Sequence, residues 1–243
     1  MIYGVHSVSA WLRARGSEAS RLLVREGKLS ARLEDVTQLA SACDCPVDRV
    51  TVEMLDRLGG KAHQGVVLYI ENMEALNEDA LAPILEDRHH KLLLLVLDGV
   101  TDPRNLGACL RSAATMGVDA VISPRHRSAP LNSAALKTAS GGAAQVPVID
   151  VVNLARTLER LKREGVWIIG TVADSAEPLA GVDMTTDIAL VMGAEDKGIR
   201  PNTRKHCDVL ANIPMVNAEP GFNVSVAAGI CLYEVYRQRI RAE

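Results

Sequence analysis

Six consecutive aliphatic residues, Leu92 to Leu97, constrain the fold more than any other feature of this 243-residue sequence. A strand is apolar on both sides when both faces of its sheet are covered, as in a parallel sheet flanked by helices. Short apolar runs at 120–122, 166–170, 188–192 and 209–213 follow, with helical patterns such as 153–164 between several of them. The region is therefore predicted to be an α/β domain with a mostly parallel sheet.

Two other regions precede this domain. In the first 70 residues, helical patterns at 7–15 and 30–43 alternate with β-rich runs at 21–24, 47–50 and 65–70, which predicts a small α/β unit. Residues 71–89 carry six Asp or Glu against one Lys or Arg and have no strand-like apolar run. We therefore predict a domain at 1–70, an acidic linker at 71–89, partly helical, and a second domain at 90–243 that closes with an apolar-faced helix at 224–241.

The charge distribution does not exclude that the protein binds a nucleic acid. The net charge is −3, but the acidity lies in 71–89, whereas 1–70 has 9 basic against 8 acidic residues and 90–243 has 17 against 16. An RNA-binding surface would have to come from local clusters. Candidates are Arg125 with Arg127, and Arg200 with Arg204 and Lys205; the alternative is that both are ordinary solvated surface.

Composition also narrows the cellular setting. The five cysteines form no C-x-x-C pair of the kind that structural zinc sites use, and nowhere do eighteen apolar residues run together. The amino terminus has no basic segment ahead of an apolar run. We expect a cytoplasmic protein that has no metal site and no membrane partner.

Three polar loops follow predicted strands, at the edge where open α/β sheets bind ligands. In 98–114, Asn105 is placed to cap a helix that carries Arg111 in its second turn; an ordinary cap with a surface arginine is the alternative. In 192–199, two glycines are spaced as in a P-loop, but Ile199 and Arg200 follow where Lys and Ser or Thr are needed, so nucleoside triphosphate binding is disfavoured. In 213–227, Asn223 or Ser225 is expected to cap the last helix.

Read together, the order and spacing of these loops resemble the three motifs of the SpoU/TrmH branch of the SPOUT RNA methyltransferases. The first loop matches D-G-V-x-D-P-x-N-L-G-x-x-x-R-x-A, the second V-M-G-x-E-x-x-G, and the third I-P-M followed by N-V-S-V-A. The resemblance covers essentially the whole chain. The segments Ile2–Gly4 and His63–Gly65 are further similar to marks of the 23S rRNA guanosine-2′-O-methyltransferases.

This resemblance implies a trefoil-knotted SPOUT domain behind a small L30e-like RNA-binding domain, a homodimer whose interface lies against the cofactor site, and S-adenosylmethionine as cofactor. It implies methyl transfer to a ribose 2′-hydroxyl of 23S rRNA without a metal. The implied catalytic residues are Arg111, Glu195, Asn105, Asn223 and Ser225. The implied cofactor-binding residues are Gly193, Ile213, Phe222, Met215 and Val224.

The third motif departs from the family pattern at three positions. Asn217 stands where glycine is usual, Gly221 where a serine often assigned to catalysis is usual, and Phe222 where leucine is usual. Phe222 is expected either to pack on the adenine or to fill the leucine position. Two alternatives follow: a related enzyme that methylates tRNA, and a non-catalytic RNA-binding protein that keeps the fold.

Overall fold

The computed structural model describes residues 1–71, 74–86, 89–217, 219 and 221–242. The amino-terminal unit has a four-stranded sheet in the order β1-β4-β2-β3, in which β2 and β3 are parallel and the other neighbours antiparallel. Its elements are β1 (Ile2–Tyr3), α1 (Val5–Arg15), β2 (Ala19–Arg25), α2 (Ala31–Ala42), β3 (Val47–Val50), α3 (Val52–Gly59) and β4 (Val66–Ile70).

The two amino-terminal sequence marks meet in space. The side-chain oxygen of Gln64 accepts a hydrogen bond of 3.1 Å from the backbone N–H of Val5, the first residue of α1. Gln64 and Gly65 both have positive φ, and His63 Nδ1 accepts a 2.8 Å bond from the Gly65 N–H. The mark at 63–65 therefore builds the turn that holds the start of α1 against β4.

The second unit has a six-stranded sheet in the order β10-β8-β9-β5-β6-β7, and all neighbouring strands are parallel. The predicted parallel α/β domain is confirmed. Its elements are α4 (Leu81–Glu86), β5 (Leu93–Asp98), α5 (Pro103–Thr115), β6 (Ala120–Pro124), α6 (Ser133–Ala139), α7 (Gly142–Gln145), β7 (Val148–Val151), α8 (Leu154–Arg163), β8 (Trp167–Thr171), β9 (Ile188–Gly193), α9 (Pro201–Arg204), β10 (Val209–Ala211) and α10 (Val224–Ala242).

Parallel pairing places the carboxyl ends of all six strands at one edge of the sheet, which we call the carboxyl edge. The central strand β5 is fully buried, in agreement with its apolar run. The last strand ends at Ala211, two residues earlier than predicted, so Asn212 and Ile213 belong to the loop beyond it. The knot stays a prediction.

The segment predicted as a linker packs against the second unit over much of its length. Leu76 forms a parallel bridge with Ile149 of β7, and Leu81 of α4 is completely buried in the core on one face of the sheet. The Thr157 hydroxyl donates a 3.2 Å hydrogen bond to the Glu78 carboxylate. Residues 72, 73, 87 and 88 of the predicted linker lie outside the described residues, and the predicted domain boundaries stay predictions.

The two units also share a hydrophobic core. Buried residues of the first unit, among them Val8 and Trp11, belong to the same cluster as Leu106 and Leu136 of the second. At the contact, the Lys137 ammonium lies 5.2 Å from the centre of the Tyr3 ring, a cation–π geometry. The amino-terminal unit is thus packed onto α6 and α7.

The described residues contain neither a membrane-spanning helix nor a metal-binding cluster. No helix there is both long and apolar enough to cross a membrane. No group of three His, Cys, Asp or Glu side chains is arranged to hold a metal ion.

Candidate active site

A cavity of about 410 Å³ opens at the carboxyl edge, beyond β8, β9 and β10. Its volume falls within the range of roughly 300–1,000 Å³ that is common for small-molecule sites. Three segments supply most of its wall: residues within 171–174 at the end of β8, residues within 192–199 at the end of β9, and Ile213, Met215 and residues within 221–227 after β10. The cavity includes all five residues predicted to bind the cofactor, namely Gly193, Ile213, Met215, Phe222 and Val224.

Gly193 is a position where a side chain has no room. A Cβ atom there would lie 2.0 Å from the carbonyl carbon of Gly198 and 2.2 Å from the backbone nitrogen of Ile199. Ala194 and Gly198 close the loop with reciprocal backbone hydrogen bonds of 3.2 and 2.7 Å. Glycine at 193 therefore lets the chain fold back tightly and present main-chain groups to the cavity.

Glu195, which also lines the cavity, is the centre of a polar network. Its Oε1 accepts hydrogen bonds from Asn105 Nδ2 at 3.2 Å, from the Val224 N–H at 3.3 Å, and from Asn223 Nδ2. Asn223 Nδ2 also donates to Asn105 Oδ1 at 3.1 Å. One carboxylate thus joins the three polar loops of the sequence, each of which follows a different strand.

The start of α10 extends this network. Asn223 Oδ1 accepts hydrogen bonds from the Ser225 N–H at 2.9 Å and from the Ser225 hydroxyl at 2.6 Å. The side chain of Asn223 therefore serves as both a helix cap and a partner of Glu195. Four of the five predicted catalytic residues are brought together: Asn105, Glu195, Asn223 and Ser225.

The prediction that Asn105 caps its helix is wrong. The cap is Asp102, whose carboxylate accepts a 2.8 Å hydrogen bond from the Arg104 N–H, and Pro103 occupies the first helical position. Aspartate followed by proline is a favourable start for a helix. Asn105 consequently lies inside α5, where its amide is free to bind Glu195 and Asn223.

The structure does not bring Arg111 into this network. Arg111 is six residues beyond Asn105 on α5, which turns it about 120° away around the helix. Its side chain is exposed and makes no ion pair with any described residue. Its backbone is closely packed, because a Cβ at Gly142 would lie 3.0 Å from the Arg111 Cα. Glu195 and Arg111 therefore make no hydrogen bond or ion pair with each other in the described part of the chain.

An ion pair between a buried carboxylate and a partly exposed arginine ties two loops together at the same edge. Asp98 is completely buried at the end of β5, paired in register with Gly193 of β9. Its Oδ2 accepts a 2.9 Å hydrogen bond from the Arg200 N–H, and its Oδ1 lies 3.4 Å from Arg200 Nη1. A buried carboxylate of this kind needs such partners, so the pair fixes the end of the 193–200 loop.

Sequence reasoning missed several residues around the cavity. The segment 171–174 lines it, and so does Arg204, which was predicted only as part of an RNA-binding cluster; Arg204 Nη2 is hydrogen-bonded to Asp174 at 3.0 Å. The other loops were identified by polar residues that follow a predicted strand, and the segment 171–174 shows the same signal. Asp98 ends an apolar run in the same way.

The three departures from the family pattern lie in the loop between β10 and α10. Gly221 and Phe222 line the cavity, and Phe222 is 44% exposed. Asn217 is exposed.

Beneath the network, burial, with a smaller contribution from the Glu195 carboxylate, raises the pKa of the Cys109 thiol to about 12. Cys109 is therefore a neutral packing residue.

Comparison with known proteins identifies the family. The model of the SpoU rRNA methylase family matches residues 92–233, and the model for RNA 2′-O ribose methyltransferase substrate binding matches residues 1–75. The chain belongs to the SpoU rRNA methylase family. Among SpoU relatives, the 23S rRNA (guanosine-2′-O-)-methyltransferase RlmB of Pseudomonas aeruginosa is 44% identical over 242 residues, which cover 100% of this chain and 98% of that protein. RlmB of Coxiella burnetii is also 44% identical, over 98% of this chain and 95% of that protein.

Solved structures of SpoU proteins agree in fold. The methyltransferase AviRb of Streptomyces viridochromogenes, in complex with the cofactor AdoMet, matches with a TM-score of 0.81 and 22% identity, over 98% of this chain and 89% of that chain. The A. aeolicus TrmH/SpoU tRNA modifying enzyme matches with a TM-score of 0.57 and 29% identity, over 68% of this chain and 85% of that chain.

Proposed function

We propose that this chain transfers a methyl group from S-adenosylmethionine to the ribose 2′-hydroxyl of a guanosine in 23S rRNA. The observation that carries the proposal is the Glu195 network, which gathers Asn105, Asn223 and Ser225 at a cavity lined by all five expected cofactor residues. Relatives that are 44% identical over almost their whole length bear the corresponding name. Because the proposed substrate is 23S rRNA, we also assign the enzyme to the cytoplasm.

The residues of the cavity fit S-adenosylmethionine. Ile213, Met215 and Phe222 offer an apolar wall suited to the adenine ring, and the tight turn at Gly193 offers main-chain groups for polar edges. S-adenosylmethionine supplies, when bound, a methyl group on a positively charged sulfur that an oxygen nucleophile can displace. The protein must therefore place a ribose oxygen in line with that methyl group.

Glu195 is suited to orient the ribose. Its Oε1 is saturated by three N–H donors, whereas its Oε2 has no hydrogen-bond partner among the described residues. We assign to Oε2 the hydrogen bond from the reacting hydroxyl, whose proton passes to this carboxylate as the ribose oxygen accepts the methyl group. Asn105 and Asn223 fix the carboxylate, so that its free oxygen has one orientation.

Arg111 is assigned to charge stabilisation. A guanidinium remains protonated in proteins, so it is better suited to hold the RNA phosphate and the developing charge on the ribose oxygen than to remove a proton. Because Arg111 points away from the Asn105 face of its own α5, we assign it to the site of a second copy in a homodimer.

The surface of α10 supports this homodimer. Val226, Tyr233, Tyr236 and Ile240 are each about half exposed along one helix that packs on α5. An isologous pairing of this apolar surface would cover it and bring the α5 helices of both copies to the interface.

Complementation tests the assignment of Arg111. Arg111→Ala and Glu195→Ala proteins, each inactive alone, are unfolded and refolded together in equal amounts. Half of randomly formed dimers are mixed, and each has one intact site if Arg111 acts across the interface, so about a quarter of wild-type activity returns. No recovery, despite mixed dimers in native mass spectrometry, would place Arg111 in its own subunit's site.

The proposed function is tested by transfer of a labelled methyl group to a 23S rRNA transcript and to bulk tRNA, followed by mapping of ribose methylation. Label on one 23S guanosine is expected. Label on tRNA alone would favour the tRNA alternative. Binding of both cofactor and RNA without transfer would favour the non-catalytic alternative, which Gly221 in the third motif suggests.

A further inference from the structure

Three consecutive exposed basic residues, Arg125, His126 and Arg127, follow β6 at the carboxyl edge; we call them the basic turn. Neither arginine side chain makes an ion pair or a hydrogen bond with the described residues. Asp150 is the acidic group close enough to Arg125 to respond to it: burial raises the pKa of Asp150, and Arg125 partly opposes that shift. The positive charge of the basic turn is therefore at most partly neutralised by the protein, and it faces the solvent.

The basic turn is held in a fixed shape. Arg127 adopts a left-handed backbone with φ of 60°, and the Ser128 hydroxyl donates a hydrogen bond to the Pro124 carbonyl. The Ala129 N–H donates a 2.7 Å bond to the Val100 carbonyl, which fastens the turn to the loop after β5. Non-glycine residues adopt positive φ at a cost, and such conformations often occur at functional sites.

Arg200 connects the basic turn to the active site. Its Nη2 donates a 3.2 Å hydrogen bond to the Arg127 carbonyl, while its backbone is bonded to the buried Asp98. Asp98 is the direct strand neighbour of Gly193, which lines the cavity. Since β9, β5 and β6 are adjacent and strands are spaced about 4.8 Å apart, the turn lies about 10 Å across the sheet from the cavity strand.

We propose that the basic turn, together with Arg200, binds the phosphodiester backbone of the substrate RNA a few nucleotides from the ribose that is methylated. This inference rests on the proposed function and extends it. Arginine guanidinium groups bind phosphate in a bidentate manner, and such contacts fix the register of the nucleic acid without reading its sequence. The role of the turn is thus to position the RNA strand, whichever base is presented.

The test compares two double variants of equal charge change. Arg125→Gln/Arg127→Gln removes the charge of the turn. Arg160→Gln/Arg163→Gln removes two charges near the end of α8, which leads to the amino-terminal end of β8 at the opposite edge of the sheet. For each protein, binding of a 23S rRNA transcript is measured by filter binding from 50 to 300 mM KCl, and binding of S-adenosylmethionine by calorimetry.

Loss of two phosphate contacts is expected to reduce the slope of log Kd against log salt concentration by about 1.4–1.8 in the basic-turn variant. Its Kd for RNA should rise about 10- to 50-fold at 100 mM salt, and its KM for RNA should rise in parallel. The α8 variant should keep the wild-type slope, and both variants should bind S-adenosylmethionine as wild type does.

An unchanged salt slope in the basic-turn variant would overturn the inference, as would an equal loss in the α8 variant. If the wild-type protein binds the transcript but transfers no methyl group, the proposed function fails, while the salt slopes still decide the role of the turn. If the wild-type protein does not bind the transcript at all, both are overturned.

Discussion

Replacing Glu195 by glutamine tests whether one carboxylate holds the three loops of the site together. Glutamine has the same shape and keeps a carbonyl oxygen that accepts from Asn105, Asn223 and Val224. The substitution therefore removes the negative charge but allows the three hydrogen bonds to remain.

The expected loss follows from the strength of these bonds. A hydrogen bond to a charged group contributes about 1.5–3 kcal/mol and a neutral one about 0.5–1.5, so each bond weakens by about 1 kcal/mol. Glu195 is exposed, and two of its bonds are 3.2 and 3.3 Å long, so solvent screening reduces the sum. We expect a total loss of about 1–2 kcal/mol, which lowers the melting temperature by about 2–8 °C.

Thermal unfolding followed by circular dichroism measures this loss, and methyl transfer should fall by at least about 5- to 30-fold. The matched control is Asp196→Asn, which removes a charge from the neighbouring exposed residue. Asp196 makes no hydrogen bond or ion pair with the described residues, so its replacement should leave the melting temperature unchanged. Equal melting temperatures for wild type and both variants would refute the idea that the Glu195 carboxylate stabilises the site.

Three further predictions concern the cavity, the buried thiols and the exposed arginine. Gly193→Ala should abolish S-adenosylmethionine binding in calorimetry, because its Cβ would meet backbone at 2.0 Å, whereas Gly229→Ala, with ordinary contacts at 3.8 Å, should bind normally. Burial raises the pKa values of Cys109 and Cys231 from 9.0 to about 12, so unfolded thiols ionise first as the pH rises. The free energy of unfolding, measured by urea titration, should therefore be about 1 kcal/mol lower per thiol at pH 10 than at pH 8. In a Cys109→Ala/Cys231→Ala variant, the part of this decrease that comes from the two thiols should be absent. Arg111→Ala should abolish methyl transfer while cofactor binding, measured by calorimetry, stays near wild type; loss of cofactor binding would contradict its role.

The main elements of the sheet could be predicted because each is an apolar run with its own local pattern. The run at 92–97 indicated a strand buried on both faces, and β5 is buried throughout. β1 was missed because two residues are too few for a pattern to develop, and β7, which has four residues, was also not predicted. The cap at Asn105 was wrong because Asp102 and Pro103 form a better helix start three residues earlier.

The contacts that make the site could not be predicted from spacing. Asn105 and Asn223 are separated by 118 residues, and Asp98 and Arg200 by 102. Such pairs depend on the order of strands in the sheet, which local periodicity does not encode. The resemblance to a family predicted that these residues belong to one site, and the structure shows the hydrogen bonds between them.

The separation between Asn105 and Asn223 has a consequence for biosynthesis. Chains grow at about 5–20 residues per second, so several seconds pass between the synthesis of these two residues. Until Asn223 is made and α10 folds onto α5, Glu195 lacks two of its three hydrogen-bond donors. Only a chain that extends past residue 224 can therefore assemble the network, and a nascent or truncated protein that stops before that point would lack a finished site.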